Sequence, residues 1–589
     1  MDFKKYIGYQ GLRIPFKFSR GWTILRIIVE IVLRLLVPFQ MYIVAVLIDS
    51  LNNRDNIENI NIALGLLFVC LGSIFMIRQC IQSTLFAIDC KIENDLRIKY
   101  KKMILEKCAK LKYENIENKS IQNLLHRIIY NIESEILEGI NAYERILGIG
   151  LQLLAILVTF SFKVWWVSLG IFLLSLPIII VSIKSGIANY QMTKKMTLKE
   201  RECEYLNSIL INQDAAVERT IFGFTSQIGS RWRKAFGLSK SEKLKTEKKW
   251  MFNSKLSGLF VVLLLVFMCI GMILPLSKGS ITSGLYIASI LTMGSLMTTL
   301  TWELSQNVDQ YIRFLEFYKE LEEYEALSVE EDNCLNYIKS KQPEKFESLQ
   351  FSNVSFSYPG CSKKILHNLS FRIEAGKCVA LVGLNGEGKT TIIKLILKMY
   401  ENYEGRIFIN DISIRDISYD TIRRLVSVLF QDFGRYYLSI KDNIIMGREY
   451  NLNNVQKTYK NLLIDSIFED ANMKLGKTDK DGSELSGGQW QLIAMLRTLI
   501  ADTPVCILDE PTAAIDPIRE VELYKQFREI SKHKTVLLIT HRLASVKIAD
   551  EIVVLSQGKI EEKGNHSMLI NKKGLYSEMY DKQRRWYEK

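Results

Sequence analysis

Residues 378–397 read CVALVGLNGEGKTTIIKLIL, and this stretch decides the fold of the second half of the chain. An apolar run ends at Gly383, a glycine-rich loop follows, and an apolar helical pattern begins after Lys389. This is the pattern G-x-x-x-x-G-K-S/T in a strand–loop–helix setting. Its glycines let backbone N–H groups close around phosphate oxygens, and the start of the helix adds the positive end of a dipole. The loop therefore predicts a nucleoside triphosphate bound by Gly383, Asn385, Gly386, Gly388, Lys389, Thr390 and Thr391.

Two further strand-like runs end in residues suited to phosphate chemistry. The run VCILDE ends in Asp509 and Glu510, which fit an acid that holds a metal ion and an acid that polarises the attacking water. The run TVLLITH ends in His541, at the position expected for a contact with the γ-phosphate. We expect Lys389 to neutralise the β- and γ-phosphates and Thr390 to offer its hydroxyl to Mg²⁺.

The first half of the chain has a different composition. The 589 residues are 48% hydrophobic and 24% charged, and nearly all the long apolar runs precede the phosphate loop. A helix needs about 20 apolar residues to cross a bilayer, and six runs reach or approach that length. This number of runs disfavours a soluble protein and predicts a six-helix membrane domain. The predicted spans are 22–48, 60–87, 140–160, 164–187, 256–276 and 281–302.

Basic residues orient these spans. The loops between spans two and three and between spans four and five are long and rich in Lys and Arg, whereas the three short loops carry only Arg54, Lys163 and Lys278. The positive-inside rule therefore places both termini and both long loops in the cytoplasm. It also explains the net charge of +13 without nucleic acid as a partner.

Charged side chains also lie within the spans or at their edges, mostly in the cytoplasmic half. One interpretation is a wet, inward-facing cavity of mixed charge where a substrate enters. The other is that these side chains extend to the inner membrane interface, and the sequence leaves both open. The sixth span adds a polarizable Met side chain that suits a permissive site. The candidate cavity residues are Glu30, Arg34, Arg78, Glu144, Arg145, Met297 and Glu303.

The order of motifs in the second half resembles that of the ABC transporter ATPase domain. The string LSGGQ occupies 485–489, between the phosphate loop and Glu510, and is the most specific signal in the chain. Six spans followed by one such domain resemble an ABC exporter half-transporter over essentially the whole sequence. We therefore expect an α-helical six-span transmembrane domain followed by an α/β P-loop ABC ATPase domain. The expected boundaries are 1–305 for the membrane domain, 306–345 for a helical exit and linker, and 346–589 for the ATPase.

The resemblance implies ATP and Mg²⁺ as ligands and assigns roles within one chain. Tyr358, in SYPG, is similar to the aromatic residue that stacks on adenine. Gln431, in FQDF, is similar to the residue that links Mg²⁺ and the attacking water to the membrane domain. The implied catalytic residues are Glu510, His541 and Gln431, and the implied metal contacts are Thr390, Gln431 and Asp509.

The same resemblance implies a second copy of the chain. In the family, the signature of one ATPase domain completes the site of another, so one domain alone cannot form a complete site. Ser486, Gly487, Gly488 and Gln489 match the signature residues that close on the opposite subunit's γ-phosphate, and Asp516 matches the acid at the dimer seam. All the catalytic motifs are intact, which favours a homodimer over a heterodimer.

Three strings resemble those of transporters of lantibiotics and other bacteriocin-like peptides: FQDFGRYYLSIKDNI, GSELSGGQWQ and DAAVERTIFGF. The expected function is ATP-driven export of a modified or antimicrobial peptide across a bacterial plasma membrane. About twenty residues precede the first span, so we expect no leader-peptidase domain. Two alternatives remain open, namely export of a lipid, drug or small amphiphile, and a membrane-anchored ATPase that senses a ligand.

One residue departs from the pattern of the phosphate loop. Glu387 puts an acid where a small residue is commoner, so a cost in ATP affinity is expected unless its side chain points away from the phosphates. The segment KTDKDGSE, before the signature, differs from the loop common in multidrug exporters and disfavours that cargo class.

Overall fold

The structure is a computed structural model that describes residues 13–52, 57–212, 215–330, 342–446, 472–476, 482–501, 503–511, 534–542 and 546–587. The chain divides into two compact units. The first comprises Met1–Ala109 and Lys119–Leu327, and the second comprises Lys110–Asn118 and Ser328–Lys589. The short segment 110–118 therefore packs with the second unit, although it interrupts the first in sequence.

The first unit is built from helices. Two π-helical turns, Leu96–Tyr100 and Thr299–Glu303, connect consecutive helices of this unit. Its helices are α1 Arg13–Phe18, α2 Arg20–Asn52, α3 Ile57–Asp95, α4 Lys101–Cys108, α6 Lys119–Ser161, α7 Trp165–Ile211, α8 Ala216–Phe222, α9 Thr225–Ser277, α10 Ser283–Thr298 and α11 Leu304–Glu325. The intervening helix α5, Tyr113–Glu117, belongs to the second unit.

The predicted spans overlap the long helical stretches of this unit, and the span 281–302 covers α10 and most of the π-helical turn after it. Among the described residues, five helical stretches are long and apolar enough to cross a membrane: Arg20–Asn52, Gly65–Cys108, Lys119–Ser161, Trp165–Ala188 and Ser283–Glu325. The sixth prediction falls in α9, where a shorter apolar stretch is found at Val262–Ser277. Helix α9 has 53 residues. At 1.5 Å per residue it is about 80 Å long, far more than a hydrocarbon core of about 30 Å needs.

Small residues allow these helices to approach closely. A side chain at Gly284 in α10 would collide with the carbonyl oxygen of Ala45 in α2, and the Gly284 N–H donates to Asp49 Oδ1 at 2.7 Å. A side chain at Gly139 in α6 would collide with the ring of Phe314 in α11. Close backbone approach at small residues is a typical basis of packing between membrane helices, where burial from water adds little.

The second unit contains two sheets. A four-stranded antiparallel sheet has the order β2-β1-β4-β5, with β1 Ser348–Phe356, β2 Leu366–Glu374, β4 Glu404–Ile409 and β5 Ile412–Ser413. A six-stranded sheet has the order β10-β9-β3-β8-β7-β6, with β3 Cys378–Gly383, β6 Val426–Leu429, β7 Val505–Asp509, β8 Thr535–Ile539, β9 Glu551–Ser556 and β10 Lys559–Gly564. The described helices are α12 Lys389–Ile396, α13 Tyr419–Leu425, α14 Ile440–Ile445, α15 Gly487–Ile500, α16 His566–Lys572 and α17 Leu575–Tyr587.

The central strands of the six-stranded sheet run parallel. Strand β3 pairs with β8 and β9, and β8 also pairs with β7, all in parallel register. Every residue of β7 and β8 is buried, as expected for strands covered on both faces. The carboxyl ends of these strands lie at one edge, so the residues after Gly383, Leu508 and Ile539 come together. The predicted order of a helical unit with long apolar helices followed by an α/β unit is confirmed.

Candidate functional site

The phosphate loop connects buried strand β3 to helix α12. Gly386 and Gly388 adopt φ of +86° and +93°, a conformation that residues with side chains rarely adopt. A Cβ on Gly388 would also lie 2.7 Å from Leu366 Cδ2, so the position has no room for a side chain. The glycines predicted from sequence are thus required by the backbone of the loop, which leads directly into the N-terminus of α12.

The lysine of the loop is folded over the loop itself. Lys389 Nζ donates to the carbonyl oxygens of Gly383 and Leu384, both at 2.8 Å. Burial lowers the pKa of Lys389, and the nearby charges of Glu510 and Asp509 oppose that shift. The loop therefore holds a cation at its centre, where anionic oxygens can replace the two carbonyl partners.

The first of the paired acids contacts the start of α12. Asp509, the last residue of β7, accepts a hydrogen bond from Thr390 Oγ1 at its Oδ2 at 3.0 Å. Burial and the charge of Glu510 raise the pKa of Asp509 to about 6, against the hydrogen bond from Thr390, which lowers it. A nearby cation would stabilise the ionised form of such a carboxylate.

The second acid is held from three sides. Glu510 adopts a left-handed backbone conformation with φ of +50°, and its N–H donates to the carbonyl oxygen of Ile539 at 2.9 Å. Gln491 Nε2 donates to the carbonyl oxygen of Glu510 at 3.3 Å. The side chain lies 2.8 Å from His541, measured from Oε1 to Nδ1. A strained backbone fixed by its neighbours is typical of residues that are positioned for function.

A pocket of about 470 Å³ brings most of the predicted nucleotide residues together. Ile365, which the sequence did not single out, contributes to its wall. Gly383 is buried at the end of β3 and accepts from Lys389. The predicted residues that line the pocket are Tyr358, Asn385, Gly386, Gly388, Lys389, Thr390, Thr391, Gln431, Asp509, Glu510 and His541.

The signature residues do not line this pocket. Ser486 caps α15 in a capping box, in which its hydroxyl accepts from the Gln489 N–H at 3.3 Å and Gln489 Oε1 accepts from the Ser486 N–H at 2.8 Å. Gly487 and Gly488 form the first turn of the same helix. The structure therefore assembles the signature as an ordered helix start that does not line the pocket of its own chain. Asp516 lies outside the described residues.

A cage of tyrosine rings around one lysine, next to the pocket, was not predicted from the sequence. Lys394 Nζ in α12 lies 5.2 to 5.8 Å from the ring centroids of Tyr113, Tyr358 and Tyr400, and 2.9 Å from Glu117 Oε1. The Tyr358 hydroxyl is 3.1 Å from Thr391 Oγ1. These contacts join the predicted adenine-stacking residue to segment 110–118, which continues on both sides into helices of the first unit. Three tyrosines scattered along the chain gave no signal of this arrangement.

The acid in the phosphate loop is engaged outside the pocket lining. Glu387 Oε2 accepts a hydrogen bond from the Gly558 N–H at 3.3 Å, in the turn between β9 and β10. Glu387 is not among the residues that line the nucleotide pocket. The side chain therefore meets the condition stated from the sequence, that an acid at this position should point away from the phosphates.

A second cavity, of about 310 Å³, lies among α2, α3, α6 and α10 in the first unit. Arg34, Arg78 and Glu303 line it, together with the glutamines Gln40, Gln82 and Gln152, which sequence reasoning missed. Of the other predicted residues, Glu30 and Glu144 line a smaller apolar pocket, and Arg145 is half-buried and lines neither. Met297 lies outside the residues whose side chains the structure describes.

Arg34 organises one end of this cavity. Its Nε donates to Glu30 Oε1 at 3.0 Å, and its two terminal nitrogens donate to Glu303 Oε1 and Oε2 at 2.5 and 3.3 Å. Arg34 Nη1 also lies 3.4 Å from Gln152 Oε1. A neighbouring network joins Arg26 to Asp89 at 2.6 Å and to Glu144. Buried charges in these helices are therefore paired, as membrane burial requires.

The phosphate loop, the paired acids at the sheet edge and the LSGGQ helix define an ABC-type ATPase domain, which follows a helical membrane domain in the same chain. Residues 366–513 match the sequence model of the family described as ABC transporter. A solved bacterial Atm1-family ABC exporter with ATP bound has the same fold, with a TM-score of 0.79, 22% identity and coverage of 96% of this chain and 98% of that chain.

Relatives match over nearly the full length. The subtilin transport ATP-binding protein SpaT of Bacillus subtilis is 28% identical over 96% of this chain and 92% of its own length. The nisin transport ATP-binding protein NisT of Lactococcus lactis subsp. lactis is 25% identical over 97% and 95%. The ATP-dependent lipid A-core flippase 2 of Colwellia psychrerythraea is 27% identical over 92% of each chain.

Residues 366–513 match an ABC transporter ATPase domain, and the chain has the organisation of an ABC exporter half-transporter, an ATP-hydrolysing membrane protein with its ATPase domain in the cytoplasm. The predictions of family, enzyme class and membrane location are thereby confirmed.

Proposed function

We propose that this half-transporter exports a peptide, acting as a homodimer that hydrolyses ATP at two shared sites. The observation that carries the choice of cargo is that two relatives matching more than nine-tenths of this chain are named as subtilin and nisin transport proteins. The intact set of ATPase residues in the pocket supports hydrolysis by this chain itself.

The pocket supports a distinct role for each group that surrounds the phosphates. The N–H groups of the phosphate loop and Lys389 bind and orient the β- and γ-phosphates, and Tyr358 stacks on the adenine. Glu510, fixed by His541 at 2.8 Å, accepts the proton of the attacking water, while His541 contacts the γ-phosphate. Gln431, which lines the same pocket, orients that water.

The donor set at the sheet edge fits Mg²⁺. Thr390 and Asp509 offer a hydroxyl and a carboxylate oxygen 3.0 Å apart, Gln431 lines the same pocket, and oxygen ligands are those that Mg²⁺ prefers. A bound Mg²⁺ would supply positive charge to the developing phosphate charge.

The position of the signature helix supports a two-chain arrangement. Ser486 to Gln489 form an ordered helix start, yet none of these residues lines the pocket of its own chain. A second copy can supply these N–H groups to the γ-phosphate, and this chain can return the same contact. Because both sites then contain a complete set of residues, a homodimer is favoured, with a heterodimer as the alternative.

The cavity of the first unit is the proposed binding site for cargo. Its walls carry a paired acid and base, three glutamines and three hydroxyls, Thr292, Ser295 and Thr299, so they offer donors and acceptors along the path of an extended polar chain. ATP drives transport because it binds the closed dimer more tightly than the open one and so shifts the population of the two states. Hydrolysis returns the dimer to the open state.

A lipid or small amphiphile is the second candidate cargo. It is favoured by the similarity to the lipid A-core flippase 2, which also extends over nearly the whole chain. The polar walls of the cavity favour the peptide. A ligand-sensing ATPase would hydrolyse ATP without moving any solute.

The deciding experiment measures ATP-dependent uptake of a labelled lantibiotic-type precursor peptide into inside-out vesicles containing the wild-type chain or its Glu510→Gln variant. We expect uptake with the wild type alone. If the wild type hydrolyses ATP but takes up no peptide, the same vesicles assayed with a fluorescent phospholipid distinguish a lipid exporter from a sensor. Uptake that is equal in the two vesicle preparations would contradict an ATP-driven mechanism.

A further inference from the structure

The walls of the membrane cavity follow single faces of their helices. On α2 the lining residues include Arg34, Val37 and Met41, and on α10 and the turn after it they include Ser295, Thr299 and Glu303. Spacings of three and four residues place side chains on one helix face. The cavity is therefore enclosed by continuous faces of these helices, which makes its lining a surface that a solute can contact.

The acids near this cavity are already engaged. Both oxygens of Glu303 and one oxygen of Glu30 accept hydrogen bonds from Arg34. Arg34 is engaged in the same network, because its Nε and both terminal nitrogens donate hydrogen bonds to these carboxylates. Neither group presents a full set of free hydrogen-bonding atoms to a ligand.

Arg78 is the cation in the cavity wall that stays outside this network. It is exposed in α3, and in the described part of the chain no carboxylate lies within ion-pair distance of it. Gln82, one turn later, lines the same cavity. A guanidinium within a membrane-spanning helix is energetically costly, and such residues mark substrate pathways. An open guanidinium beside amide groups is an arrangement that recognises carboxylates and carbonyl oxygens.

We propose that Arg78 binds a carboxylate of the cargo, so that the transporter selects peptides carrying an acidic side chain or a free C-terminus. This inference rests on the proposed function as a peptide exporter and specifies its cargo class. The fork of the guanidinium matches both oxygens of a carboxylate, whereas a lysine would offer a single point of charge. Gln82, and Gln40 and Gln152 on neighbouring walls, can then bind the adjoining peptide groups.

The test compares two synthetic peptides of equal length, one containing two Asp residues and the other containing Asn at the same positions. Binding to the full-length dimer in lipid nanodiscs is measured by fluorescence anisotropy. We expect the wild type to bind the Asp peptide at least about tenfold more tightly, as a charge-assisted hydrogen bond provides. Arg78→Gln should abolish this preference, and Arg78→Glu should transfer it to a matched peptide containing two Lys residues.

Lys184→Gln is the matched control, because Lys184 is an exposed basic residue of α7 that does not line the cavity. It should keep the wild-type preference. The inference is overturned if the wild type binds both peptides equally or neither, or if Arg78→Gln keeps the preference. Vesicle uptake of the two peptides by the wild type tests the proposed function separately. Equal uptake of the Asp and Asn peptides would support peptide export and refute only the role of Arg78.

Discussion

The nucleotide pocket and the membrane cavity place their functional groups in different ways. The pocket takes its groups from one loop and from the ends of adjacent strands, with Gly388, Asp509 and His541 fixed by the backbone. The cavity takes single side chains from four helices, and Arg34 aligns its charges through side-chain hydrogen bonds. Sites fixed by the backbone leave a readable sequence motif, whereas sites assembled from helix faces do not. The following predictions test this contrast, from the largest expected effect to the smallest.

The largest effect is expected from Glu510→Gln. The variant keeps the shape of the side chain and its neighbour His541 but removes the proposed proton acceptor, so turnover should fall by about 100-fold or more. ATP binding should stay within about a factor of three, because the phosphate loop is unchanged. Steady-state phosphate release and equilibrium binding of a fluorescent ATP analogue measure the two quantities. Turnover near the wild-type rate would refute the assignment of Glu510 as the base.

Disruption of the Arg34 network in the membrane unit should lower the stability of the protein instead of its catalytic activity. Arg34→Met leaves the buried Glu30 and the half-buried Glu303 without their cation, which costs about 3 kcal/mol. The apparent unfolding temperature in detergent, followed by light scattering, should therefore fall clearly. Adding Glu30→Gln and Glu303→Gln to the variant should restore most of it, because neutral amides need no counter-charge. An unchanged unfolding temperature in Arg34→Met would show that water already solvates these acids.

The same contrast explains how much the sequence could predict. The phosphate loop and the paired acids followed from the sequence because local backbone geometry dictates residues such as Gly388. Five of the six predicted spans fall in described helical stretches long and apolar enough to cross a membrane, and the sixth falls in a shorter apolar stretch, because apolar length is a direct physical requirement. The cage around Lys394 and the glutamines of the cavity were missed, since side chains far apart in sequence meet only through packing. Arg145 was named for the cavity on its charge alone, and the structure does not place it there.

Lys394→Met should raise the KM for ATP without changing the residues that bind the phosphates. The cation holds Tyr358 through its ring and pairs with Glu117, and one such cation–π contact contributes about 0.5–2 kcal/mol. We expect KM for ATP to rise by roughly threefold to tenfold, with kcat within a factor of two. Stimulation of hydrolysis by cargo should weaken, because Glu117 lies in the segment 110–118 that interrupts the first unit. Lys394→Arg keeps the charge above the rings and is the control that should behave like the wild type.

The smallest effect is expected at Glu387, where an acid lies in the phosphate loop but bonds to the Gly558 N–H at 3.3 Å. The carboxylate faces the turn between β9 and β10, and partly exposed charges interact weakly. Glu387→Ala should therefore lower the Kd for ATP by only about twofold to fourfold. Glu387→Gln removes the charge but keeps an acceptor for Gly558, so it separates repulsion of the phosphates from support of the turn. Equal tightening in both variants would identify charge repulsion as the cause. Weaker ATP binding in Glu387→Ala alone would show that this loop also depends on a side-chain contact. The pocket would then differ less from the cavity, whose charges are held by side-chain hydrogen bonds.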